Sequence, residues 1–425
     1  MMPTVSVVVP YYCNQEGLNA VLTGLTRQDY AGPIQVVVAD DGSPAAPSVG
    51  THDGMDITVV RQADHGFRAA AARNLGAAAA TGEVLAFLDG DTVPRPGYLT
   101  AVVAALQAEP GVLVVGSRTH VDVSVELPRD LGEPEWLAAA WVATEDLRHV
   151  DHTGFRYVIS AVLSCRREVF ETVGGFDASM AGYGGEDWEF AWRAHQAGHD
   201  LRHQPGAVAE HRGADWGARS LTEPDLARRE KNAESLRLAT RITHPTMRKA
   251  GVVYPVPDIS VQWNPSGPPD VMDDDGTVAL AVGDLLAAGD VHVTFPRTRG
   301  DDVSEQWSAA GPPALFDADP RVHRVTAPWE SAEGNRVQPR FDVEVRHPCR
   351  VPPGELQAAC EAIAASDELG EIVDRTGRVL FTVTPRRAKA RGVTDVHRLI
   401  RSWTALAADV RLEDVFREEG TAGAQ

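Results

Sequence analysis

The chain has 425 residues, 40 of them Lys or Arg and 60 Asp or Glu, for a formal net charge of −20 at pH 7. That length allows two or three domains with buried cores and excludes a peptide or a small disulfide scaffold. The acidic balance repels phosphate backbones and anionic lipid, so duplex nucleic acid is not an expected partner, and an anionic nucleotide needs local arginines or a metal ion. The cysteines Cys13, Cys165, Cys349 and Cys360 form no Cys-x-x-Cys pair. Structural zinc and disulfides are therefore not expected, and a reducing, cytoplasmic compartment is. No run approaches the ~20 apolar residues of a membrane span, and no basic, apolar leader precedes Thr4.

The first element is the β-branched run Val5-Ser6-Val7-Val8-Val9, broken by Pro10. It has the pattern of a strand buried on both faces of a parallel sheet, and a helix is expected from about Asn14. Ile34 to Ala39 repeats the pattern and stops at the turn cluster Asp40-Asp41-Gly42-Ser43; Ile57 to Val60 is a third strand. An alanine-rich helix over Ala69 to Ala80 leads to a fourth, Val84 to Leu88, which ends on Asp89. This alternation predicts an α/β fold with parallel pairing, in which ligands sit beyond the carboxyl ends of the strands. A charged helix from about Glu223 to Ile242 closes the first module, and the Pro-, Gly- and Asp-rich segment after it reads as a linker. The expected division is a catalytic domain over 1–250, a linker over 251–276 and a smaller α/β domain over 277–425.

The second module looks like a worn repeat of the first. Pro94-Arg95-Pro96-Gly97-Tyr98-Leu99 is echoed by Val351-Pro352-Pro353-Gly354-Glu355-Leu356, which again follows a strand pattern, Phe341 to Val345. With Pro94 on Val351, Asp89 and Asp91 fall on Arg346 and Pro348, so the repeat has lost its acid pair. At shorter offsets Cys165-Arg166-Arg167-Glu168 resembles Pro385-Arg386-Arg387-Ala388, and Glu186-Asp187 resembles Glu413-Asp414. The competing explanation is chance likeness between two α/β segments.

Two acidic motifs carry the chemistry. Asp89-Gly90-Asp91 at a strand end can turn two carboxylates toward a hard divalent cation that also bridges diphosphate oxygens; the bland alternative is a solvated turn. Gly182-Tyr183-Gly184-Gly185-Glu186-Asp187-Trp188 is a glycine turn feeding a helix with two acids in its first turn. Simple capping at the helix N-terminus is the rival explanation of such acids. As chemistry, it supplies a general base, with glycines such as Gly185 allowing close approach of an acceptor and Trp188 offering a ring face to a sugar. Downstream, His211 in Ala209-Glu210-His211-Arg212-Gly213 is of the right type to join Asp91 around a manganese-like ion, although a lone His is more often structural.

In this order and spacing, five motifs resemble the family 2 nucleotide-sugar glycosyltransferases of GT-A fold. They are Val8-Val9-Pro10-Tyr11-Tyr12, Val38-Ala39-Asp40-Asp41-Gly42-Ser43, Ala72-Arg73-Asn74-Leu75-Gly76, Leu88-Asp89-Gly90-Asp91, and Gly174-Gly175-Phe176-Asp177 ahead of Gly185-Glu186-Asp187. The resemblance spans about Val5 to Gly213. It implies that Pro10 and Tyr12 wall the base pocket, Asp41 reads the uracil edge, and Arg73 approaches the base or diphosphate. It also implies that Asp89 holds the ribose side next to Gly90, that Asp91 and His211 ligate Mn2+ or Mg2+, and that Asp187, beside Glu186, is the base. The Gly-Gly-Glu-Asp form is similar to the galactosyl- and N-acetylgalactosaminyl-transferring branches. Cys13 departs from the family, which usually has Asn after the tyrosine.

The implied activity is inverting transfer of a hexose or N-acetylhexosamine from a UDP-sugar to a hydroxyl of a glycan, peptide or natural product, with Trp216, or the stretch 121–151 with Trp136 and Trp141, closing over the donor. The C-terminal domain would pack on the first, hold the acceptor or form a homodimer. Rival readings are a sugar-phosphate nucleotidyltransferase, disfavoured because no lysine precedes Lys231; a scaffold on a retired transferase; and a two-site polymerase, disfavoured by the lost second acid pair.

Overall fold

The computed structural model describes residues 2–52, 54–123, 128–212, 224–266, 275–296, 314–325, 336–406, 411–413 and 415. The chain divides into two compact units, Met1–Leu238 and Ala239–Gln425.

In the first unit the β-branched runs become β1 (Val5–Tyr11), β2 (Ile34–Asp40), β3 (Met55–Arg61) and β4 (Val84–Leu88), paired in parallel as β3-β2-β1-β4. Helix α1 (Gln15–Thr26) starts where Asn14 accepts the Gly17 N–H at 2.9 Å, and it buries Leu18, Val21, Leu22 and Leu25 along one stripe. Helix α2 (Ala69–Ala79) is mostly alanine, which lets it lie close on the sheet; a Cβ on Gly76 would overlap Val8. The chain continues through β5 (Thr92–Pro94), α3 (Tyr98–Ala108), β6 (Leu113–Asp122), β7 (Arg129–Gly132), α4 (Glu135–Ala143), β8 (Val162–Arg166), α5 (Arg167–Val173), α6 (Glu186–Gln196), β9 (Leu201–His211) and α7 (Pro224–Ala239). The sheet order is β3-β2-β1-β4-β8-β6-β9-β5, with β7 on β6 and β8 antiparallel to both its neighbours. It is a mixed α/β sheet.

The second unit contains β10 (Ile259–Trp263), α8 (Asp275–Ala287), β11 (Val291–Pro296), β12 (Val322–Val325), β13 (Phe341–Val345), α9 (Glu355–Ala364), β14 (Leu369–Val373), β15 (Val379–Pro385), α10 (Arg386–Ala390) and β16 (Val396–Ile400). Its order, β12-β11-β10-β13-β15-β14-β16, matches β3-β2-β1-β4-β8-β6-β9 strand for strand, with the same parallel and antiparallel pairs. The equivalence extends to detail: Gly97 and Gly354, at φ 90° and 76°, occupy the same left-handed position ahead of α3 and α9. The expectation of a repeated module is thus met in its topology.

Three boundaries of that expectation change. The segment 251–276 is not simply a linker, because it holds β10, which lies between β11 and β13. Its five residues alternate too briefly to stand out beside the Pro- and Gly-rich run that follows. The shared pairing aligns Arg166, not Cys165, with Pro385, since Val84 faces Arg166 and Phe341 faces Pro385. Finally, Glu413 follows β16, whereas Glu186 and Asp187 precede β9, and no helix separates α10 from β16. Glu413-Asp414 is therefore not the counterpart of Glu186-Asp187; Asp414 lies outside the described residues. All four cysteines are free thiols. Among the described residues no helix is long and apolar enough to cross a membrane.

Candidate donor and catalytic site

The carboxyl ends of β1 and β2 place the first group of site residues. Along β1 the side chains alternate, so Tyr11 is buried, Pro10 is half-buried and Tyr12, just past the strand, is exposed. Cys13 takes a left-handed conformation, φ 50°, and its N–H donates to Ser43 Oγ at 3.1 Å. The helix cap passes to Asn14, so the departure at Cys13 leaves the turn intact. Gly42, at φ 85°, sits where a Cβ would overlap the Asp64 backbone. Asp41 is held from both sides: Gln62 Nε2 donates to Oδ1 at 2.5 Å and the Arg68 N–H to Oδ2 at 2.8 Å. Gln62, Asp64 and Arg68 carry no motif and were not foreseeable. Neither was Gly17, where a Cβ would overlap the Gly90 carbonyl and push α1 off the Asp89-Gly90-Asp91 turn.

Arg73 is the hub of the site. It projects from α2, is 3 % exposed, and donates through Nη1 to Glu186 Oε1 at 2.8 Å and through Nη2 to Asp89 Oδ1 at 2.6 Å. Burial works against its charge, but the two carboxylates more than offset that and raise its pKa. The same motif ties down the glycine turn beyond α5: Asn74 Nδ2 donates to the Phe176 carbonyl at 2.8 Å, and the Phe176 N–H returns a bond to Asn74 Oδ1 at 2.9 Å. The guanidinium thus faces the two acidic motifs and joins them.

Gly185, at φ 93°, caps α6, and the two acids that follow have different fates. Glu186 is ion-paired to Arg73. Asp187 is half-buried, accepts the Trp188 N–H at 2.9 Å, and has its pKa pushed up to about 7 by burial first and by the charge of Glu186 second, with Arg73 pulling the other way. Of the pair, Asp187 is the carboxyl poised to exchange a proton near neutrality. Trp188 has Phe155 against its edge at 6.2 Å and Lys231 Nζ over its ring at 5.1 Å. Lys231 in turn pairs with Glu234 at 2.8 Å, so α7 seats the glycine turn.

The third group comes from strand register. Thr92 on β5 faces His211 on β9, and His120 on β6 faces His211 from the other side. Asp91 Oδ2 lies 3.4 Å from His211 Nε2, and Thr92 Oγ1 donates to Asp91 Oδ1 at 3.3 Å. Burial raises the Asp91 pKa, but hydrogen bonds from His211 and Thr92 win and hold it below the ordinary carboxylate value. Among the described residues no three His, Cys, Asp or Glu side chains form a cage able to hold a metal alone. Asp91 and His211 offer one oxygen and one nitrogen, the partial donor set suited to an ion that completes its shell with phosphate oxygens and water. His120 was not among the expected residues, although its Nδ1 lies 3.2 Å from His211 Nδ1.

The candidate lid residues separate. Trp141 is buried and stacks on His203 at 4.1 Å with a 7° interplanar angle, so it belongs to the core and is not free to close over a donor. That imidazole links Ser117 Oγ, at 2.9 Å, to Asp146 Oδ1, at 2.7 Å. The order is that of a hydrolytic relay, but Ser117 is buried and Trp141 covers the ring, so the chain braces the 145–147 turn, whose three residues all have positive φ. Trp136 is exposed. Trp216 lies outside the described residues.

The first half of the chain is similar to known proteins. Residues 6–174 match Glycosyl transferase family 2, and residues 149–212 match the N-terminal domain of galactosyltransferase. The chain is 35 % identical over 224 residues to a pre-mycofactocin glycosyltransferase of Mycobacterium tuberculosis, covering 51 % of this chain and 45 % of that protein. It is 31 % identical over 268 residues to a validoxylamine A glucosyltransferase of Streptomyces hygroscopicus subsp. limoneus, covering 56 % and 55 %. To the chondroitin synthase of Escherichia coli it is 28 % identical over 235 residues, covering 48 % and 34 %. The chain spans about half the length, or less, of these relatives. The first unit carries a Glycosyl transferase family 2 domain of GT-A fold, continued over residues 149–212 by a galactosyltransferase-like segment.

Proposed function

We propose that the first unit is a metal-dependent inverting glycosyltransferase that moves a hexose or N-acetylhexosamine from a UDP-sugar to an acceptor hydroxyl. The observation that carries this reading is the contrast between two adjacent acids: Glu186 is tied to Arg73, whereas Asp187, with its pKa pushed up to about 7, makes no ion pair among the described residues. A single displacement needs one base, one stabilised leaving group and exclusion of water. Asp187 takes the proton of the acceptor hydroxyl as its oxygen attacks the anomeric carbon from the face opposite the departing UDP. Arg73 holds Glu186 in place through their ion pair, and Asp187, with its pKa raised to about 7, is the acid left to exchange the proton. Asp41, fixed by Gln62 and Arg68, offers its carboxylate to the imide edge of the base, with Pro10 and Tyr12 as the walls of that pocket.

Asp91 and His211 would hold Mn2+ or Mg2+, and the ion would neutralise charge on the departing diphosphate. Asp89 and Gly90 stand on the ribose side of that turn, and Gly185 and Trp188 on the acceptor side. Relatives named for glycosylating pre-mycofactocin, for glucosylating validoxylamine A and for synthesising chondroitin are consistent with an acceptor hydroxyl on a natural product, peptide or glycan. The second unit has Arg346 and Pro348 at the strand end that bears Asp89 and Asp91, which supports one transfer site per chain and not two.

The test is a thermal-shift panel of UDP, GDP, dTDP and UDP-sugars, each with and without Mn2+, because a ligand that binds only the folded state raises its stability. A shift with UDP compounds that depends on Mn2+ and disappears in Asp91→Ala is the expected result. No shift with any nucleotide removes the donor site, and the scaffold reading then takes its place.

A further inference from the structure

We propose that His120 is a positioning residue that sets the tautomer and ring orientation of His211; this rests on the donor-site reading above. The two ring nitrogens of His211 face different partners. Nε2 points to Asp91 Oδ2 at 3.4 Å, and Nδ1 points to His120 Nδ1 at 3.2 Å. The rings cross at 83° with centroids 5.0 Å apart, so the contact runs edge to face and not as a stack. With Nε2 facing Asp91 alone, its N–H donates there; for a neutral imidazole to offer an ion the Nε2 lone pair instead, its proton must reside on Nδ1, and that N–H then needs an acceptor. His120 Nδ1 is the atom placed to accept it. His211 is buried, and His120 stands directly opposite it in the parallel β6–β9 register. The orienting contact is therefore built into the sheet and does not depend on a loop. Histidines that ligate metals commonly have such a partner on the second nitrogen, and its loss typically weakens metal binding by roughly 10–100-fold.

The geometry also defines the competing arrangement. If His120 and His211 both offered Nδ1 to one ion, Asp91 would be the orienting group and His120 a ligand. The two arrangements differ in how many imidazole nitrogens an ion touches.

The experiment is Mn2+ titration of the full chain in the presence of UDP, followed by electron paramagnetic resonance, with the bound ion then examined for nitrogen couplings. The wild type is expected to show one imidazole nitrogen, which disappears in His211→Ala. His120→Leu should weaken Mn2+ affinity by roughly 10–100-fold. His120→Asn, whose Oδ1 replaces the accepting nitrogen, should recover most of that loss, and UDP binding without Mn2+ should be equal in all three proteins. Circular dichroism checks that each variant folds, and the Asn variant keeps the test open if Leu does not. Two imidazole couplings in the wild type, one of them lost in His120→Asn, overturn the proposal by making His120 a ligand. Unchanged Mn2+ affinity in a folded His120→Leu overturns it by making the contact mere packing. A wild type that binds UDP but no Mn2+ instead defeats the metal site beneath it.

Discussion

The two units share a sheet plan but not the residues at its rim. β4 is buried along its whole length, whereas β13, its counterpart, alternates between buried and half-buried positions. Each unit also contains a buried arginine held by two carboxylates, and these sit at opposite ends of equivalent strands. Arg73 meets Asp89, just past the carboxyl end of β4; Arg340 precedes β13 at its amino end and binds Asp258 at 2.6 Å and Glu361 at 2.5 Å. Strand pairing is maintained by an apolar pattern spread over many residues, so it survives the loss of any few. The rim beyond the strands depends on a few polar groups, and these differ: where the first unit has Asp89 and Asp91, the second has Arg346 and Pro348. The same ionic device ties Asp258 to Glu361 in one unit and joins the two acidic motifs, at Asp89 and Glu186, in the other.

The sharpest way to break that contrast is Asp187→Asn. Transfer should fall by roughly 10²–10⁴-fold, the usual contribution of a general base, while Mn2+-dependent UDP binding measured by calorimetry stays nearly intact. Normal turnover would remove Asp187 as the base. Next in size are the paired arginine variants Arg73→Met and Arg340→Met. Each strands two acids around an uncharged side chain, which costs about 3–5 kcal/mol and is read by denaturant unfolding. Only the Arg73 variant should also weaken UDP binding; equal loss of binding in both would erase the distinction between the two arginines.

The next expectation concerns pH. Asp187 has its pKa raised to about 7, so kcat/KM should rise with pH through that value and then level, because the base must be deprotonated. The sign for stability is opposite. A carboxyl whose folded pKa lies above its unfolded value favours folding when protonated, so its contribution declines as pH rises from about 4 to about 7. Asp187→Asn, which mimics the neutral acid, should therefore have a higher Tm than the wild type at pH 8, and the gap should close toward pH 4. The smallest expected effect is that of Glu413→Gln, which should leave turnover unchanged, since Glu413 follows β16 and has no counterpart position in the helix that carries Asp187.

Much of this was legible in the chain itself. Val5–Val9, Ile34–Ala39 and Val84–Leu88 announce their strands because buried parallel strands need continuous apolar runs. The acid pair and the glycine turn announce themselves because chemistry at a strand end or helix start is local. β10 was hidden because five alternating residues carry little signal beside prolines. The partners of Arg73 were hidden for a different reason: its two carboxylates lie 16 and 113 residues away along the chain. His120 is one of 14 histidines. Its meaning appears only when β6 pairs with β9, through a register shift between Gly116 and Ser117 that periodicity does not predict. Trp141 looked mobile in an acidic stretch and proved to be part of the core.

Arg73 has one positive charge and divides it between Asp89 and Glu186. A ligand that draws on Asp89 changes how much of that charge remains for Glu186, and Glu186 in turn sets the acidity of Asp187. Donor occupancy and base strength are then two readings of one shared charge. UDP binding should be accompanied by uptake or release of a fraction of a proton, visible as a binding enthalpy that varies with the ionisation heat of the buffer. The donor side would thereby adjust the base before any acceptor arrives.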